Sequence, residues 1–147
     1  MFLTATPDST PSALLHNLNH NKVLHERVVF LTVQITEQPW VQPLDRMSLV
    51  KLGHGCWRMT LRYGFMDEPD VVKALEVAST LGLDFDLMTT SFFLSRETVV
   101  PSATVESGMP HWRDRVFATM ARNAGNAADY FKLPANRVIE LGTKVEI

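Results

Sequence analysis

The chain has one cysteine, Cys56, among 147 residues. A single thiol excludes an internal disulfide framework and a cysteine-rich zinc site, and a reducing compartment is the simpler assumption. The chain also lacks any apolar run approaching the roughly 18 residues that a bilayer-spanning helix requires. Its first residues show no basic segment followed by an apolar run, so no signal peptide is expected. There is no field of one charge: 14 Lys and Arg stand against 16 Asp and Glu, and the arginines are scattered. Neither nucleic acid nor an anionic membrane surface is attracted by such a balance. Internal repeats and low-complexity tracts are missing too.

What remains is ordinary globular composition, 46% apolar and 20% charged, which predicts one soluble domain over residues 1–147 with a real core. The most apolar stretch is Val28, Val29, Phe30, Leu31, Val33 and Ile35, with almost no polar alternation. A strand covered on both faces has that pattern, so Arg27 to Thr36 is expected as the central strand. Before it, Phe2 to Thr6 reads as a short first strand ending at Pro7-Asp8. Ser12 is placed as the N-cap of a helix whose buried stripe is Leu14, Leu15 and Leu18. Asn17, Asn19 and Asn21 are poor interior residues and end it near His20. Strand, helix and strand in that order suggest a parallel βαβ unit.

After a loop holding Pro39 and Pro43, two strands are expected around Gly53-His54-Gly55. In Cys56 to Phe65, Trp57, Met59, Leu61, Tyr63 and Phe65 alternate with Arg58, Thr60 and Arg62. That predicts an antiparallel hairpin with the first set in the core and the second outside it. If the Trp57 ring is fully buried, Trp57→Ala is expected to cost about 3–5 kcal/mol. A helix follows Pro69, with Asp67, Glu68 and Asp70 at its positive end, Val71, Val72, Leu75, Ala78 and Leu81 as its stripe, and Gly82 past its end. Ser91 to Ser95 reads as a strand that Glu97 to Val100 either continue or follow as an edge segment. Pro101 to Met109 reads as a loop, and Pro110 opens the longest expected helix, with Trp112, Val116, Phe117 and Met120 on one stripe and a break at Gly125. A short helix over Ala127 to Phe131 and an alternating last strand from Ile139 to Ile147 complete the chain. The expected fold class is α+β, a mixed β-sheet with helices in the order β-α-β-β-β-α-β-α-β.

Chemical candidates are weak. His16 and His20, four apart on the first helix, could join His25 around a metal, but no acidic or Cys ligand stands at matching spacing. Ser95-Arg96-Glu97 lacks the G-x-S-x-G setting of a nucleophile, and an ion pair across strands or at a helix end is the better reading of the charges. Nothing beside Cys56 would stabilise a thiolate, so a partly buried structural role is expected. Asn123 to Ala128 holds one Gly and neither phosphate-cradling motif. No catalytic residue, metal ligand or cofactor is therefore expected, and no residue is assigned to a small ligand.

Function comes from resemblance. Leu14-Leu15-His16-Asn17-Leu18 and His20-Asn21-Lys22-Val23-Leu24-His25-Glu26-Arg27-Val28-Val29 open a series of motifs. Arg62-Tyr63-Gly64-Phe65-Met66, Pro69-Asp70-Val71, Phe93 to Thr98, Phe117 to Ala124, Ala127 to Pro134 and Asn136 to Gly142 continue it. In this order they resemble the cytoplasmic C-terminal domain of the bacterial Kup/HAK/KT potassium uptake permeases. The resemblance implies a non-enzymatic regulatory or assembly domain of a proton-coupled potassium importer at the cytoplasmic face of the inner membrane. It implies the permease's transmembrane region as partner, and Ile147 as the native C-terminus. The pore and ion ligands lie in that other region, so no transport residue carries over and the fragment alone is expected neither to transport potassium nor to insert into a membrane. Because some members respond to a cyclic dinucleotide, a nucleotide sensor is the alternative. A two-fold homodimer is expected, with the C-terminal strand as the candidate surface.

Overall fold

The computed structural model describes residues 1–80, 82–83, 85–100 and 127–146. Its elements run β1 (Phe2–Leu3), α1 (Ser12–Asn21), β2 (Val28–Thr36), β3 (Met47–Gly53), β4 (Cys56–Gly64), α2 (Val71–Thr80), β5 (Phe92–Val100), α3 (Ala127–Tyr130) and β6 (Val138–Glu146). This is the expected α+β order. The strands form a mixed six-stranded sheet ordered β3-β4-β2-β1-β5-β6. Every neighbouring pair is parallel except the β3–β4 hairpin at one edge. The long helix expected from Pro110 and the break at Gly125 lie outside the described residues.

The sheet is covered unequally. One face meets α2 and α3, and its core holds Leu31, Met59, Leu61, Val71, Leu75, Phe92 and Ala128. The other meets α1 in a smaller cluster of Phe2, Ala13, Leu14, Val28 and Phe93. β2 lies between β4 and β1, and Val28, Val29, Leu31 and Thr32 along it are all buried. From Val28 to Thr32 the run is thus that of an interior strand enclosed from both sides, whereas Ile35 near its end is exposed.

The hairpin forms as its alternation demands. Met47 pairs with Leu61 and Leu49 with Met59. The turn at Gly53, His54 and Gly55 runs through positive φ (96°, 49° and 75°), which only glycine adopts freely. Four details depart from expectation. Thr60 points away from Met59 and Leu61 yet is buried, because β4 is an interior strand and Thr60 lies beside Thr32 of β2. Phe65 falls beyond the strand and is exposed. Trp57 is half-buried, with Lys51 lying over its ring, so the large truncation cost tied to full burial does not apply. Arg58 is half-buried and reaches Asp8 at 3.2 Å.

In α1, Ser12 is the first helical residue and Pro11 occupies the cap position without a side-chain cap. The Ser12 hydroxyl instead donates to Ser95 Oγ at 2.7 Å. Leu15 is exposed and Asn17 takes its place in the buried face. Asn17 is satisfied there: its Nδ2 donates to the Val23 carbonyl (3.1 Å) and its Oδ1 accepts from Asn21 (2.7 Å). A buried amide with partners on both sides fastens the end of the helix to the chain that leaves it.

α2 packs through Val71, Ala74, Leu75 and Ala78. Asp70 Oδ1 accepts from the Lys73 N–H at 3.0 Å, giving the first turn a side-chain acceptor. Gly82 follows the helix at φ 96°. β5 is continuous from Phe92 to Val100, so Glu97 to Val100 extend the strand. It pairs with β6 from Phe92↔Val138 to Val100↔Glu146. Among the described residues β6 forms the far edge of the sheet.

Candidate functional site

Two places gather polar groups. The first is the turn from β4 to α2. Asp67 accepts from the Gly64 N–H (2.8 Å), the Val41 N–H (3.0 Å) and Arg46 Nη2 (3.1 Å). Those backbone donors, with burial opposing and Arg46 adding, hold its carboxyl below the usual Asp range. Arg46 also lies over the Tyr63 ring, 5.3 Å from its centroid. The Tyr63 hydroxyl donates to the Asp70 carbonyl at 2.9 Å, and burial of the phenol raises its pKa. A Cβ at Gly64 would strike the Pro39 carbonyl. Beside this turn Glu68 and Lys132 pair at 2.9 Å, each favouring the other's charged form. These contacts clamp the 37–46 loop onto the end of β4.

The second place is a crevice of about 590 Å³ past the end of β1, beside Leu94 and Ser95 of β5. Leu3, Leu31, Val33, Leu94 and Phe131 form its apolar floor. Thr4, Ser9, Thr10, Ser12 and Ser95 bring hydroxyls to it. Thr4 Oγ1 and Ser9 Oγ are hydrogen-bonded at 2.7 Å, and each lies within hydrogen-bond distance of the Thr6 carbonyl (3.0 and 3.1 Å). The position follows from topology. From β1 the chain passes through α1 to β2 on one side, whereas β5 and β6 lie on the other. Adjacent parallel strands whose connections leave in opposite directions open a crevice where ligands of open α/β sheets bind, and here it lies at the carboxyl end of β1 while β5 runs on to Val100. Among the described residues no Lys or Arg lines it.

The residues singled out in the sequence are dispersed. His16 and His20 stack on α1 with centroids 6.2 Å apart, while His25 packs against Phe2 and Phe93. The three therefore do not converge. Among the described residues no group of three His, Cys, Asp or Glu could hold a metal ion. Arg96 does form a cross-strand ion pair, with Glu140 of β6 at 3.2 Å. Cys56 is half-buried and free. Ser95 reaches the crevice through its contact with Ser12, not as a nucleophile with a base. The sequence reading passed over Thr4, Ser9 and Thr10. The signal for them was a hydroxyl-rich link directly after a first parallel strand.

The family model for the K+ potassium transporter C-terminal domain matches residues 1–147. The chain belongs to this family. The "Probable potassium transport system protein Kup 2" of Cupriavidus necator is 60% identical over the whole of this chain. The "Probable potassium transport system protein Kup" of Nitrosospira multiformis is 59% identical, and that of Herminiimonas arsenicoxydans 52%, again over the whole chain. The chain spans only 23% of the length of each of these curated relatives. No solved structure matches. Among the described residues of this family member, no helix is long and apolar enough to cross a membrane.

Proposed function

We propose that residues 1–147 act as one non-enzymatic regulatory and assembly domain of a potassium transporter, at the cytoplasmic face of the bacterial inner membrane. The transporter's membrane region is its partner, and the full protein imports potassium coupled to protons. The observation that carries this reading is a full-length match to a transporter's C-terminal domain in a chain whose described residues contain no spanning helix. Assembly takes the form of a two-fold dimer, with β6 as the pairing edge, since an edge strand presents unpaired backbone groups. The test is rubidium uptake by vesicles holding the full transporter or the transporter without these residues, with sedimentation of both. Altered uptake and a lower dimer fraction on removal are expected. Uptake and dimer fraction both unchanged would overturn the proposal.

A second reading is favoured by the crevice past the end of β1: a sensor that binds a nucleotide such as a cyclic dinucleotide and thereby controls transport. Its mixture of apolar floor and hydroxyl rim suits a base and a sugar-phosphate edge. Calorimetry of the chain with a cyclic dinucleotide tests it. Saturable heat that Ser95→Trp abolishes supports the sensor, and the absence of heat rejects it for that ligand class.

A further inference from the structure

At the opposite, amino-terminal ends of β1, β2 and β5 lies a groove of about 380 Å³. Arg27 and Val29 line it on the β2 side and Thr90 and Ser91 on the β5 side. His25 and Asp86 also face it. The two-residue strand β1 stops short inside this groove. Phe2 pairs with Phe30, although β2 begins two residues earlier, at Val28. Val28 donates its N–H toward β4, to the Gly55 carbonyl (3.0 Å), so by strand alternation the Val29 N–H faces the β1 side.

The β5 side already shows the ladder extended upstream. The Phe93 N–H donates to the Met1 carbonyl at 2.8 Å. The Met1 amine donates to the Ser91 carbonyl at 2.6 Å. An amine thus stands where a parallel ladder places a peptide N–H. Burial lowers that amine to about 5 from its ordinary 8.0, because the pocket disfavours an ammonium. A neutral peptide N–H donates the same hydrogen bond without that cost.

In the relatives this stretch is about a quarter of a longer chain, and the family is defined by a C-terminal domain. We propose that the groove seats the polypeptide immediately upstream of residue 1 in the full transporter, so that Met1 and the residue before it lengthen β1 by two residues between β2 and β5. The residue before Met1 then lies opposite Val28 and Ser91 and accepts the Val29 N–H on its carbonyl. The strand thereby becomes the rigid mechanical link between the rest of the transporter and the centre of this sheet. The inference rests on the chain's being joined to a transporter, and not on whether the domain regulates uptake.

Hydrogen exchange tests it in the 147-residue chain and the purified full transporter. The Val29 amide is expected to exchange at least tenfold more slowly in the full transporter, and equal rates would overturn the docking. A second arm compares unfolding of the 147-residue chain with that of a chain extended by the relatives' upstream residues. The amine is neutral in the fold above about pH 5 but protonated in the unfolded chain below about pH 8. The short chain therefore gains stability as pH rises through that window, and the extended chain lacks this increment. His25, Arg27 and Asp86 are present in both and cancel in the comparison. Above about pH 8, where the amine is neutral in both states of the short chain, the docked extension is expected to make the longer chain the more stable, and no added stability there would contradict the proposal. Removal of the domain without effect on uptake would sink the regulatory reading and leave the exchange result standing.

Discussion

The two halves of the sheet are built differently. In β3-β4-β2, partners lie close in sequence, a hairpin with a glycine turn supplies the register, and the Asp67 clamp fastens the following turn. In β1-β5-β6, every pairing is long-range: Phe2 meets Phe93, and β5 meets β6 across the undescribed residues. Both the crevice and the groove flank β1. The local half can form its contacts early at little loop-closure cost, whereas the other half depends on chain segments that must first be brought together. Substitutions in the second half should therefore act mainly by speeding unfolding, because its contacts form late.

The largest effect is expected at Phe2. It is buried, stacks on Phe93 at 4.6 Å, and holds a strand of only two residues. Phe2→Ala should cost about 4 kcal/mol, a large fraction of a typical domain's stability. Urea unfolding would measure it, and a loss below about 1 kcal/mol would place the weight of the fold elsewhere. Gly64→Ala comes next, at about 3 kcal/mol, because its Cβ meets backbone that cannot rotate away. The same clamp sets an acid limit. The Asp67 carboxyl is held below its unfolded value, so its contribution is present above about pH 4 and is lost as pH falls through the lowered value. Asp67→Asn should flatten that acid limb of a stability–pH profile. Trp57→Ala, half-buried in the local half, should cost about 2 kcal/mol, less than a fully enclosed aromatic. The Arg96–Glu140 pair is solvent-exposed, and a double-mutant cycle should find about 0.5 kcal/mol or less.

What was legible in the sequence follows the same division. The hairpin, its turn and the enclosed β2 follow from periodicity, and the order of elements follows with them. Single-strand alternation could not show that β4 is interior, which is why Thr60 looked solvent-facing and is buried. Leucine spacing in α1 admitted Leu15, and only the packed chain shows that the face turns to include Asn17, whose amide finds partners at the helix end. Ser12 had the chemistry of a cap, but Ser95, 83 residues away in sequence, gives its hydroxyl a tertiary partner. The crevice was illegible for the same reason. Its hydroxyls come from the link after β1 and from β5, and only the strand order places them together. The potassium-transport assignment came from motifs and not from any chemical constellation, and the family match bears out that part.

The most direct test of a regulatory role uses the full transporter with single substitutions in this domain. Rubidium uptake into vesicles would be compared for the unsubstituted protein, Phe2→Ala and Arg62→Ala, with limited proteolysis reporting whether the domain is folded. Phe2→Ala should open the domain to protease and alter uptake as fully as its removal does. Arg62→Ala, on an exposed side chain of the hairpin, should leave both unchanged. Unaltered uptake by a Phe2→Ala transporter whose domain is cleaved as an unfolded chain would contradict the account.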